Sequence, residues 1–140
     1  MRHFGFTGTQ AGMTPAQKET LKTFLIEKAR GGVVFHHGDC LGADTEAADI
    51  ADGEKMLIIK HPPLDQSKQA FNPHFLQEMP PLPYLESNRA IVDACELLIA
   101  APKSDREETR SGTWATVRYA VIKGISVYIL MQKGGYFARI

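Results

Sequence analysis

The sequence predicts an α/β fold, a doubly wound and mainly parallel five-stranded sheet with helices on both faces. Three observations predict it. Short apolar runs alternate with segments of helical spacing along most of the chain. The runs are continuous rather than alternating, as strands covered on both faces require. The turns that follow them are rich in glycine, hydroxyl and charged residues, as expected where a sheet of this kind presents its carboxyl edge.

His3 to Thr7 is the first expected strand, running into Thr7-Gly8-Thr9-Gln10-Ala11-Gly12. Thr14-Pro15-Ala16-Gln17 has the form of a capping box with proline in the first helical turn. The helix it opens carries Leu21, Phe24, Leu25 and Ala29 on one side and stops at Gly31-Gly32. Val33-Val34-Phe35 is the second strand, broken by the polar turn from His37 to Asp44. A short helix to about Asp52 follows, and then Met56-Leu57-Ile58-Ile59 as a third strand ended by His61-Pro62-Pro63. Residues 64 to 85 form a Pro-rich, apolar insertion, counted from about residue 62, in which Asn72-Pro73 is expected to start a short helix through Glu78. Such a length is unusual for a plain loop, so either a lid, a subunit-contact arm or a flap packed on the core is expected. Glu86 to Ala94 reads as helix and Leu97-Leu98-Ile99-Ala100 as strand. A polar loop from Lys103 to Thr109 then leads into a helix to about Lys123. Ser126 to Leu130 is the last core strand, and Gly134-Gly135 is expected to loosen the tail.

Length and composition suit one domain over residues 1–140 with a single core. Sixteen basic and sixteen acidic residues cancel, so no global field draws the chain to nucleic acid or to an anionic membrane. Cys40 and Cys95 lie far apart without CxxC spacing, which points to reduced thiols and a cytoplasmic setting. No apolar run reaches membrane-spanning length.

Arg110-Ser111-Gly112-Thr113-Trp114-Ala115-Thr116 is the strongest candidate for chemistry. It opens a helix, where unpaired amides and the positive end of the helix dipole suit a phosphate. Arg110 supplies a planar fork of donors, Ser111, Thr113 and Thr116 supply hydroxyls, and Gly112 lets an anion approach the backbone. A simple Ser111 helix cap with a solvated Arg110 is the alternative. Thr7, Gly8 and Thr9 either line the opposite wall of the same site or form a plain tight turn. Gly38-Asp39 and Gly42-Ala43-Asp44 place two carboxylates around a glycine-rich turn. Asp39 is expected to take ribose hydroxyls or to act as a general base, and Asp44 to cap the helix in preference to catalysis. Glu46 sits in the first turn of that helix, where an acid favours the dipole. Asp39, Asp44 and Glu46 are the candidate catalytic carboxylates. Arg89 is a weaker phosphate candidate that can equally pair with Glu86 or Asp93. His36, His37 and His61 lack metal-ligand spacing, so no metal or cofactor is expected. Cys40 and Trp114 read as buried packing.

Five stretches carry a resemblance. Asn88-Arg89-Ala90-Ile91-Val92, Leu97-Leu98-Ile99-Ala100 and Arg110 to Thr116 together resemble the C-terminal half of the Rossmann-like domain of DNA-processing protein A. Gly38 to Asp44 is similar to that family's glycine-rich turn, and Gly5 to Gly12 to its first strand and loop. This is the SLOG superfamily, which includes the LOG cytokinin-activating phosphoribohydrolases and small stand-alone proteins of nucleotide-derived signalling. The resemblance implies a Rossmann-like domain that senses, carries or sequesters a signalling nucleotide, with phage–host conflict as a setting it implies. It also brings two alternatives. Nucleoside-monophosphate phosphoribohydrolysis needs the glutamate of a PGGxGTxxE motif, yet this chain has Arg118 near that position. Single-stranded DNA binding lacks the usual basic excess, so nucleic acid is a disfavoured partner. The apolar insertion implies a homo-oligomer, a dimer or larger.

Overall fold

A computed structural model describes residues 1–139. In chain order the elements are β1 (Arg2–Gly8), α1 (Pro15–Lys28), β2 (Val33–His37), α2 (Ala43–Gly53), β3 (Leu57–Lys60), β4 (Gln77–Glu78), α3 (Tyr84–Ala94), β5 (Leu97–Ala101), α4 (Gly112–Lys123), β6 (Ser126–Leu130) and β7 (Tyr136–Arg139). They form one seven-stranded sheet in the order β4-β3-β2-β1-β5-β6-β7. Every neighbouring pair is parallel except β6 with β7. The α/β class and the mainly parallel sheet are as expected, but the strand count is seven, not five. Both extra strands are edge pieces. β4 has two residues, too few for any periodicity, and the Gly134-Gly135 turn does not loosen the tail but folds it back as β7.

Helices cover both faces because alternate strand residues point to opposite sides. Phe4, Phe6, Phe35, Ile58, Leu97 and Ile99 pack with Leu21, Phe24 and Ala47 beneath α1 and α2. Leu98, Ala100, Val127 and Ile129 pack with Ile91, Trp114 and Val117 beneath α3 and α4. Trp114 is therefore core, as expected, although Val121 is exposed. The capping box is present: Thr14 Oγ1 accepts from Gln17 N at 3.0 Å and Gln17 Oε1 from Thr14 N at 3.0 Å. The Gln17 amide is fully buried and donates to the carbonyls of Pro102 and Leu130, so it ties α1 to the ends of β5 and β6.

The expected helix from Asn72 does not form. Residues 61–83 wrap the sheet edge as extended chain with a single 3-10 turn at Gln66–Lys68. The flap is held by a buried ion pair instead of by its own periodic core. Lys60 Nζ lies 2.9 Å from Asp39 Oδ2 and donates to the Asn72 carbonyl at 3.0 Å. Asp39 also accepts from Gln69 Nε2 and Asn72 N, each at 3.0 Å. Phe75 lies over the ammonium, 4.3 Å from ring centre to Nζ. Both charges are almost wholly buried, and such a pair loses most when only one member is removed.

On the α3 side three imidazoles bond in a row. His3 Nδ1 and His36 Nε2 are 2.8 Å apart, and His36 Nδ1 and His61 Nε2 are also 2.8 Å apart. Burial, then the neighbouring His61, His3 and His37, brings His36 down to about 3. Burial also brings His61 to about 4.

Two outcomes are expected. Lys60→Met should lose about 3–5 kcal/mol in urea unfolding, and adding Asp39→Asn should restore part of it; a single-variant loss below 1 kcal/mol would count against the pin. Because the folded-state histidines titrate below the unfolded value of 6.5, their contribution is present above that pH and is lost as pH falls through 4 toward 3. Unfolding free energy measured at successive pH values should show this acid loss, and His36→Gln should flatten it.

Candidate functional site

The site lies where β1 and β5 run side by side while their connections leave for opposite faces of the sheet. This is the position at which doubly wound sheets open a crevice. The main chain of Thr9 closes its floor. Thr9 N donates to Ala101 O at 3.0 Å, and Thr9 O accepts from Ala43 N at 2.9 Å and Gly12 N at 3.1 Å. So the end of β1 is tied at once to β5, to α2 and to its own turn. The close approach of α2 excludes any side chain at Gly8, where a Cβ would sit 2.5 Å from that of Ala43. Gly42 is required by its backbone as well as by space, with φ of +86° and the Gln10 carbonyl against the position a Cβ would take.

Across the crevice, α4 begins at Gly112. Ser111 is its cap, with Oγ accepting from Trp114 N at 3.2 Å and its carbonyl from Ala115 N at 2.9 Å. That leaves the amides of Gly112 and Thr113 as orphan donors of the helix start. Between the two walls is a cleft of about 680 Å³, lined by Gly8, Thr9 and Gln10 on one side and by Lys103 and Glu108 to Thr113 on the other, with Tyr84 between. Lys103, Arg110 and Glu108 are the charged residues of this lining, and all three are exposed.

Of the residues expected from sequence, the structure brings Gly8, Thr9, Arg110, Ser111, Gly112 and Thr113 together on this cleft. The others lie elsewhere. Thr7 is buried within β1. Thr116 is turned inward, its hydroxyl donating to the Gly112 carbonyl at 2.9 Å. Arg89 projects from α3 onto the Tyr119 ring, at 5.2 Å. Asp39 does not reach the cleft, because both its oxygens are taken up by the flap pin. Gly38 and Asp44 sit behind the lining. Asp44 does not cap α2, whose N-cap is Gly42 without a side-chain bond; Asp44 Oδ2 instead accepts backward from Gly38 N at 3.1 Å and Cys40 N at 3.3 Å. Glu46 braces the first turn, accepting from Met13 N at 2.7 Å and pairing with Lys18 at 3.0 Å. Among the described residues no group of three or more histidine, cysteine or acidic side chains is arranged to hold a metal, and Cys40 and Cys95 are buried free thiols.

Two positions at the cleft escape sequence reasoning. Tyr84 stands against the start of α4, so a Cβ at Gly112 would lie 2.6 Å from its hydroxyl. Arg118 braces the cleft loop: its guanidinium pairs with Glu107 at 2.9 Å and donates to the carbonyls of Glu108 and Thr109. A basic residue one to two turns into the helix after a polar loop was the available signal for the second. Nothing distinguishes Tyr84 from the other apolar residues of its segment.

Burial raises Asp44 to about 7, against the hydrogen bonds from Cys40 and Gly38 that favour its charge. Burial also pushes the Tyr84 hydroxyl up to about 12, assisted by the charge of Asp44.

Neither the family models nor the sequences of curated proteins match this chain. Solved structures do match its fold. The molybdenum cofactor binding protein of Rippkaea orientalis superposes with a TM-score of 0.72 at 19% identity, over 93% of this chain and 76% of that one. The structural-genomics target TM1055 gives 0.69 at 14% identity, over 96% and 77%. DNA processing protein A of Streptococcus pneumoniae gives 0.69 at 17% identity, over 93% of this chain and 50% of that one. The chain thus spans half of that protein. The fold is the Rossmann-like one that the five stretches imply through their resemblance to the SLOG superfamily. No helix is long and apolar enough to cross a membrane among the described residues.

Asp44→Asn tests the strain of the buried carboxyl. With a folded value near 7 against 3.8 unfolded, stability held by the neutral acid is lost as pH rises from 4 to 7. The variant should therefore gain on the wild type across that window, on the order of 3 kcal/mol. A constant difference between the two unfolding curves from pH 4 to 8 would remove the assignment.

Proposed function

We propose that this protein binds a nucleotide or a nucleotide-derived ligand, with the anionic group held at the start of α4 and the remainder lying toward Gly8, Thr9 and Tyr84. The observation that carries it is the pairing of two orphan amides, Gly112 and Thr113, with Lys103 and Arg110 in one cleft at the carboxyl edge of the sheet. Backbone donors at a helix start and a guanidinium fork both select phosphate-like oxygens. Ligand binding is also the named property of one protein of the same fold, the molybdenum cofactor binding protein. In this role the chain senses, carries or sequesters its ligand.

Hydrolysis of an N-glycosidic bond has less support. Only Glu108 among the cleft residues carries a carboxylate, while Asp39, Asp44 and Glu46 are engaged elsewhere. Self-association is supported by the flap, where Phe71 and Leu76 are 57% and 67% exposed, and native mass spectrometry reads subunit number and any carried ligand together.

Calorimetry against a panel of nucleoside monophosphates is the direct test. Arg110→Ala and Gly112→Asp should each weaken the best ligand more than about tenfold, or about 1.4 kcal/mol, with thermal unfolding unchanged in Arg110→Ala, whereas Gly112→Asp must also displace the Tyr84 ring. Unaltered affinity in both variants would end the phosphate-cradle assignment. Free base recovered after incubation would move the function to hydrolysis.

A further inference from the structure

A second hollow lies away from the cleft, on the α3 side of the sheet, and shares no lining residue with it. It has a volume of about 240 Å³ between the returning flap, with Met79, Pro80 and Leu82, and α3, with Ala90 and Ala94. The space exists because α3 turns small side chains toward the flap. Ser87, Ala90 and Ala94 are three and four residues apart and so share one face of the helix. No lining residue is acidic or basic apart from one imidazole, that of His61. Ser87 Oγ is already engaged, donating to the Tyr84 carbonyl at 3.0 Å. His61 is only 5% exposed, and its Nε2 is engaged with His36 Nδ1 at 2.8 Å. Its Nδ1 has no hydrogen-bond partner among the described residues, yet it is not sealed from solvent as His37 Nε2 and Trp114 Nε1 are. An otherwise apolar hollow thus has one unspent side-chain nitrogen, on a ring that is itself fixed by a buried bond.

We propose that this hollow binds a neutral aromatic molecule of one or two rings whose hydroxyl or ring N–H donates to His61 Nδ1. The volume falls below the roughly 300–1,000 Å³ of a drug-sized site, which leaves room for a small ring system and none for a phosphorylated sugar beside it. The hollow has no lysine, arginine or carboxylate to compensate an ion, and the Met79 thioether suits an aromatic guest. The row of imidazoles reports that guest. A neutral imidazole has one donor nitrogen and one acceptor, and burial keeps His36 and His61 neutral near pH 7. The row therefore has two self-consistent proton arrangements. In one, His3 Nδ1 and His36 Nδ1 donate along the row, and His61 carries its proton on Nδ1. In the other, His61 Nε2 donates to His36 Nδ1, His36 Nε2 donates to His3 Nδ1, and His61 Nδ1 is bare. A guest that donates to His61 Nδ1 selects the second arrangement, and its arrival is felt two strands away at His3.

The test titrates the full chain by NMR, at about pH 8, with phenol and with toluene, which are close in size and differ in the donor. Phenol should bind about fivefold or more tightly than toluene. At saturation, imidazole nitrogen spectra should place the His36 and His61 protons on Nε2. Ala90→Leu fills the hollow from α3 without touching a histidine bond and should abolish binding of both probes. His61→Phe keeps a ring but no nitrogen and should bring the two probes to within about twofold of each other. No binding of phenol, equal affinity for the two probes in the wild type, phenol binding that survives Ala90→Leu, or His61 protonated at Nδ1 in the complex would each overturn the site. If His61→Phe did not fold, Ala90→Leu and the nitrogen spectra would still decide it.

Discussion

The main chain of Thr9 is the constraint on which the rest of the molecule depends. Its amide and carbonyl join β5, α2 and the first turn at one residue. A doubly wound sheet must divide somewhere, since successive connections go to opposite faces, and a crevice opens at the division unless something fills it. Thr9 fixes how wide that crevice is. Gly8 allows α2 to close on β1 from one side, and Ser111 sets the start of α4 on the other. The backbone wall is therefore held by bonds that involve no exposed side chain, whereas the loop of the facing wall also leans on the exposed Arg118–Glu107 pair.

A second constraint acts at a distance. The flap has few packed apolar residues and is secured by Lys60 and Asp39, two charges that repay their burial only together. The flap ends at Tyr84, so the position of this ring at the cleft is set partly by an ion pair at the other end of the same segment. Arg118 plays the comparable part for the loop on the facing wall.

Local chemistry was what the sequence made legible. Thr14 to Gln17 and Ser111 to Thr113 announce helix starts through side chains that bond within three residues, and the strands announce themselves by continuous apolar runs. The half of the site built from such pieces, Gly8, Thr9 and Arg110 to Thr113, could be read directly. Asp39 could not, because a carboxylate after a glycine looks available until Lys60 and Asn72, distant in the chain, are seen to cover it. Asp44 reads as a forward helix cap, yet its partners, Gly38 and Cys40, precede it. Asn72-Pro73 reads as a helix start, yet the flap follows the sheet edge through Leu76 and Met79 backbone bonds to Ile58 and Lys60. Tyr84 belongs to the cleft only through tertiary geometry.

The two margins of the sheet have a bearing on how copies of this chain can meet. One margin is two residues of β4, bearing Glu78 and followed by Pro80, Pro81 and Pro83; the other is the short return strand β7. Neither offers a long ladder of free amides for a foreign strand to extend. An assembly of folded copies is therefore expected to join through side chains and not by extending the sheet.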